Sequence, residues 1–161
     1  MDHKTKHLAL LNNIIQISIA GVALKSENDI LFMIIILIFF ITINKMFIKE
    51  FKNFITIEHS STNIFNEFKS IVINGLTNIF IFTTIYYHFG LIQNSKLVQN
   101  EFLTSLYFSI VTWTTLGYGD YSPIEELRLI ASIEALMGYV YMALFVGLFL
   151  NIIQIKRKDE V

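Results

Sequence analysis

Between two apolar runs long enough to cross a bilayer, residues 71–92 and 129–153, lies a third that is too short, and it ends in Gly117-Tyr118-Gly119. A membrane-crossing helix needs about 20 mostly apolar residues. Residues 101–123 read EFLTSLYFSIVTWTTLGYGDYSP. The part up to Thr114 is apolar and aromatic, and a stretch of roughly 10–14 such residues reads as re-entrant. The two glycines then end any helix. Non-helical backbone at membrane depth survives only inside protein or beside a water-filled path. This pattern asks the chain to bury an irregular, glycine-rich strand between two spanning helices.

Composition agrees. Hydrophobic residues make up 54% of the 161, and only 16% are charged, against roughly 25% in soluble domains. A chain this short could not hide so much apolar surface in one aqueous core, whereas lipid accepts it. The net charge of -1 gives no basic field for nucleic acid. With no cysteine, disulfides and thiolate metal sites are excluded. His3, His7, His59 and His88 have no metal-ligand spacing. No P-loop, GxGxxG or hydrolytic constellation occurs, so neither an enzyme nor a cofactor is expected.

Two further apolar runs precede the short one. Residues 30–43 are interrupted only by Thr42, and the run reaches Ile48 if Lys45 snorkels to the interface. Ser26 and Asp29 read as its N-terminal cap. Residues 8–24 carry Asn12, Asn13, Gln16 and Ser18, with Leu8, Leu11, Ile15, Ile19 and Val22 at helical spacing. That segment either spans the membrane or lies flat at its surface. Its polar interruptions weaken a signal-peptide reading, and it is read as a retained helix. Residues 44–70, with Lys45, Lys49, Lys52 and Lys69 among phenylalanines, read as a cytoplasmic connector with amphipathic helical pieces. In residues 71–92, Asn74, Thr77, Asn78, Thr83 and Thr84 should face protein rather than lipid. With four spans and both ends inside, nine of the twelve Lys and Arg fall inside, which satisfies the positive-inside bias. Residues 93–128 then lie outside or dip in from outside.

An ion pathway meets the demand for a buried irregular strand. A dehydrated potassium ion needs about eight oxygen ligands, which backbone carbonyls of several chains can supply. Glycine permits the backbone angles that turn carbonyls to a common axis. Each chain supplies a quarter of each ring, so fourfold assembly is implied. The C-terminal end of the short helix brings partial negative charge toward the ion.

Thr114-Thr115-Leu116-Gly117-Tyr118-Gly119-Asp120 resembles the selectivity-filter signature of potassium channels. The resemblance covers about residues 71–155: outer helix, pore helix, filter and inner helix. It implies an all-α membrane protein with the potassium-channel pore fold, a homotetramer, carrying two additional N-terminal helices. The organisation it implies is residues 1–70 as N-terminal helices and connector, 71–155 as the pore domain, and 156–161 as a cytoplasmic tail. The carbonyls of Thr115, Leu116, Gly117 and Tyr118, with the Thr115 hydroxyl, would bind potassium. Gly119 would open the outer mouth, and Asp120 would sit behind it, bonded to the pore helix. Tyr107 is similar in position to the aromatic residue that meets this aspartate. Leu116 stands where valine is commoner. Val111 stands where some members keep a buried glutamate, so that carboxylate coupling is missing. Trp113 is bulkier than the usual aliphatic residue and should pack on the inner helix or a neighbouring subunit. Gly138 matches the inner-helix glycine associated with bending, and serves either as that bend or as a close-packing point. Gly147 reads as a packing glycine. Glu134, an ionisable residue within a span, reads as a structural hydrogen-bonding group behind the filter.

The function expected is passive, selective potassium conduction across a bacterial inner membrane by a multi-pass protein, with lipid and potassium ions as its other partners. The rivals are a weakly selective cation channel and a non-conducting regulatory subunit. The first two helices hold no regularly spaced arginines, so no voltage sensor is expected. Gating falls to the inner helices, the filter, the lipid or the N-terminal helices.

Overall fold

The computed structural model describes residues 28–56 and 61–159. Residues 8–24, expected as the first helix, lie outside them. Two compact units divide the chain, Met1–Ile43 and Asn44–Val161.

Helix α1 spans Asp29–Thr56. Its cap is Asn28 rather than the expected Ser26 and Asp29 pair: the Asn28 side-chain oxygen accepts from the amides of Ile30 at 3.0 Å and Leu31 at 3.2 Å. An asparagine directly before the first turn reaches amides that would otherwise lack acceptors. In the first unit Phe32, Ile36 and Phe39 are buried, while Ile30, Leu31, Ile34, Leu37, Ile38 and Ile41 are exposed. The apolar part of the described helix is Asp29–Thr42. Beyond it, the helix runs on through much of the expected connector. Helix α2 then begins at Ser61, so the described part of residues 44–70 consists of the end of α1 and the start of α2.

The second unit holds the rest. Helix α2, Ser61–Phe89, is followed by strands β1, Leu91–Gln93, and β2, Lys96–Val98. Helix α3 is Phe102–Trp113, strand β3 is Ser122–Pro123, a 3₁₀ turn covers Glu125–Leu127, and helix α4 runs Arg128–Asp159. An all-α chain was expected; a small antiparallel sheet in the order β2-β1-β3 is present as well. Asn94 and Ser95 both adopt positive φ, which closes a two-residue hairpin whose twist suits the paired strands. Gly90 sits at φ +89°, with Leu97 Cδ1 and Val98 O 2.8 and 2.9 Å from where a Cβ would stand. Any side chain there would lift the hairpin off the end of α2. Sheet pairing Ile92↔Ser122 ties the segment leaving α3 back to the end of α2.

Phe68–Phe89 and Glu125–Leu150 are long and apolar enough to cross a membrane. Helices α2, α3 and α4 pack on one another. Among apolar helices in lipid, burial itself supplies little driving force, so close packing and hydrogen bonds decide which faces meet. The buried face of α4 reads Ala131, Glu134, Gly138, Tyr141 and Leu148, steps of three, four and seven that make one stripe. Small and polar residues mark that stripe. The opposite face, with Leu129, Ile133, Leu136, Val140 and Leu150, is exposed and apolar.

The polar residues of α2 divide as their surroundings require. Asn78 and Thr83 are fully buried. Asn78 Nδ2 donates to the Tyr141 hydroxyl at 3.1 Å and to the Asn74 carbonyl at 3.0 Å, and its Oδ1 accepts from Asn44 Nδ2 at 3.3 Å. Thr77, Thr83 and Thr84 each donate to the carbonyl four residues back at 2.7–2.8 Å. That is how hydroxyls are satisfied within a helix when water is absent.

Candidate functional site

Helix α3 ends in a tight motif that launches the glycine-rich strand. The Thr115 amide donates to the Thr112 carbonyl and the Leu116 amide to the Val111 carbonyl, both at 3.0 Å. These are the two bonds of a Schellman C-cap, whose residue after the cap adopts the left-handed conformation. Here that residue is Thr115, at φ +58°, where glycine is usual. A β-branched residue there is strained by about 1–2 kcal/mol. Val111 is thus both buried and the acceptor that ends the helix.

Positive φ recurs at Gly117, +56°, and Gly119, +77°, while Leu116 and Tyr118 between them keep negative φ. In an extended strand successive carbonyls point to opposite sides. A backbone that alternates in hand turns every second peptide over and can bring successive carbonyls to one side. A Cβ on Gly117 or Gly119 would meet nothing within 4 Å in this chain, so dihedral angle, not room within the chain, requires glycine at these two positions. Residues 114–120 are exposed. Among the described residues, no hydrogen bond reaches the carbonyls of Thr115, Leu116, Gly117 or Tyr118.

The strand is held from behind. The Tyr107 hydroxyl donates to Asp120 Oδ2 at 2.9 Å. The Tyr107 ring lies parallel to that of Tyr118, centroids 6.4 Å apart, and edge-on to Tyr121 at 6.0 Å. Its hydrogen bond to Asp120 raises the Tyr107 phenol above its ordinary range, so it stays a donor throughout the physiological window. Sequence reasoning paired Tyr107 with Asp120 and named Tyr118 for its carbonyl; the ring contacts of Tyr118 and Tyr121 with Tyr107 were missed.

At the base of the strand, Trp113 is buried against α4. Its ring meets Tyr141 at 5.2 Å and 58°, and Gly75 of α2 lies beneath the same pair. A Cβ on Gly138 would collide with the Trp113 carbonyl oxygen. Gly138 is therefore a point of closest approach between α3 and α4. Gly147, read as a packing glycine, meets nothing within 4 Å in this chain.

Glu134 is fully buried between all three helices. Its Oε2 lies 2.6 Å from the Tyr86 hydroxyl on α2 and its Oε1 2.5 Å from Ser109 Oγ on α3. Tyr86 also packs edge-on against Phe108, centroids 4.8 Å apart. Tyr86 and Ser109 were not singled out from sequence. Their signal was there for Ser109: Ser105 and Ser109, four apart on an apolar helix, mark the face that meets protein, and both are buried.

Among the described residues no cluster of His, Asp and Glu could hold a metal ion. What the segment offers is the carbonyl oxygens of Thr115, Leu116, Gly117 and Tyr118, unbonded among the described residues, and the Thr115 hydroxyl, next to the negative end of the α3 dipole. Such hard, neutral oxygens suit an alkali cation.

Comparison with known proteins agrees with this geometry. Residues 75–155 match the family described as ion channel, a span that takes in α2 from Gly75, the sheet, α3, the strand and most of α4. The chain belongs to this ion-channel family, of the potassium-channel pore type. Over 49 residues it is 46% identical to "Two pore potassium channel a" of Oryza sativa subsp. japonica. That match covers 30% of this chain and 14% of the relative, so the chain spans only a small part of that protein's length. No solved structure matches it.

Proposed function

We propose that the chain is one subunit of a homotetrameric, potassium-selective channel, with residues 71–155 as its pore domain. Each subunit would line one quarter of a filter through the carbonyls of Thr115, Leu116, Gly117 and Tyr118 and the Thr115 hydroxyl. The observation that carries this reading is the alternation of positive φ at Thr115, Gly117 and Gly119 on a strand whose carbonyls are left unbonded. Ions would queue in the filter and displace one another by mutual repulsion, so that binding and release both stay fast. Tyr107, Asp120 and Trp113 would hold the filter's width, and Gly119 would open its mouth. The exposed apolar face of α4 would supply the packing surface of the assembly and its contact with lipid. Bending of α4 at Gly138 would draw its backbone from the Trp113 carbonyl, which couples a gate in the inner helix to the filter's base. The protein would sit as a multi-pass protein in a plasma membrane, the inner membrane of a bacterium.

Potassium and sodium uptake into liposomes holding only the purified protein tests the reading, with barium as blocker. Fast potassium uptake, slow sodium uptake and barium block are expected. Gly117→Ala and Gly119→Ala should abolish selective uptake while leaving the subunit count unchanged, because each alanine at positive φ costs about 1–2 kcal/mol in the filter alone. Equal uptake of both ions would assign a weakly selective channel instead. Absence of uptake together with a monomeric subunit count would assign a non-conducting subunit.

A further inference from the structure

The Glu134 cluster contains three close oxygen pairs: Tyr86 Oη to Glu134 Oε2 at 2.6 Å, Ser109 Oγ to Glu134 Oε1 at 2.5 Å, and Ser109 Oγ to the Ile79 carbonyl at 3.0 Å. Each pair needs one hydrogen between its oxygens. Tyr86 and Ser109 bring one hydroxyl hydrogen apiece. With an ionised Glu134 there are two hydrogens for three pairs, and Ser109 has to abandon either Glu134 or Ile79. With a neutral Glu134 there are three: the carboxyl donates to Ser109, Ser109 donates to Ile79, and Tyr86 donates to the other carboxyl oxygen. All three residues are fully buried. Among the described residues no Lys, Arg or His pairs with Glu134, and a buried carboxylate without a cation is costly.

We propose that Glu134 is a positioning residue for the filter, a protonated carboxyl that clamps α3 between α2 and α4. Ser109 lies four residues before Trp113, the last residue of α3, and the strand starts from that helix end. A clamp on Ser109 therefore fixes the height and rotation of the helix from which Thr115 departs. Glu134 touches no ion; it acts through the helix that carries the ion's ligands. The conduction half of this inference rests on the potassium-channel reading, while the protonation half stands without it.

Two measurements on the full chain test it. The first is the infrared difference spectrum of wild type and Glu134→Gln in bilayers at neutral pH. A band from a protonated carboxylic acid, present in wild type and absent from the variant, is expected; loss of carboxylate bands instead would overturn the proposal. The second is the ratio of potassium to sodium uptake. Glutamine can donate to Ser109 and accept from Tyr86, so Glu134→Gln should keep the wild-type ratio. Glu134→Ala should lower that ratio on the order of tenfold, as expected when buried polar groups lose their partner. Where Glu134→Ala does not assemble, Ser109→Ala removes the α3 hydroxyl, with its bonds to Glu134 and to the Ile79 carbonyl, and should lower the ratio in the same direction. A ratio as poor in Glu134→Gln as in the alanine variants, or an unchanged ratio in the alanine variants, would overturn the clamp. Equal uptake of both ions by the wild type would contradict the potassium-selective reading, and the infrared band would still decide the protonation.

Discussion

In the proposed filter Thr115 would hold two roles that pull against each other. As the residue that ends α3 in a left-handed turn it would be better as glycine, by about 1–2 kcal/mol of relieved strain. As the bearer of the hydroxyl that the proposed ion pathway would use, it could not be glycine. Replacement by glycine also costs roughly 0.5–1 kcal/mol of chain entropy, so the net gain in stability is small. Thr115→Gly is therefore expected to leave the melting temperature unchanged or slightly raised while potassium uptake falls. Thr115→Ser, which keeps the hydroxyl without the β-branch, should retain uptake. Thermal unfolding and liposome flux on the same preparations separate the two effects. Equal uptake in the glycine and serine variants would remove the hydroxyl from the pathway.

Among the elements, the contact of α3 with α4 sets the position of everything above it. Gly138 allows the α4 backbone to meet the Trp113 carbonyl, and Trp113 is the single tryptophan of the chain. Gly138→Ala should force the helices apart, at a cost of about 1–3 kcal/mol, with a lower melting temperature and an altered Trp113 emission. Gly147→Ala meets nothing in this chain and should leave that emission unchanged. Much of this level was legible beforehand. The two spans, the short helix between them and the glycines after it follow from run length and from what lipid demands of backbone. The sheet β2-β1-β3 was not foreseen, because strands of two and three residues are too short to show an alternating pattern. The Glu134 partners were missed for a different reason: Ser105 and Ser109 mark the side of α3 that meets protein, but nothing along the chain says which groups of α2 and α4 meet it there. Asn28, two residues beyond the expected Ser26, is the cap because register decides which side chain reaches the free amides.

For the whole molecule, the exposed apolar face of α4 and the unbonded carbonyls of the strand belong to one chain only. A lone copy at membrane depth would leave that backbone row bare, which lipid does not tolerate. Four copies around an axis would enclose it. The purified protein should therefore run as a tetramer in mild detergent by mass measurement, and a stable monomer would contradict the assembly. Selectivity, however, is the property on which the proposed filter, its aromatic support and the proposed Glu134 clamp would all converge. The most direct test is the reversal potential of the reconstituted protein in a planar bilayer, with potassium on one side and sodium on the other. A reversal far from zero, of the sign that potassium alone would set, is the expected result. A reversal at zero with robust current would show a pore that does not distinguish the two ions, and would contradict the filter assigned to Thr115-Leu116-Gly117-Tyr118-Gly119.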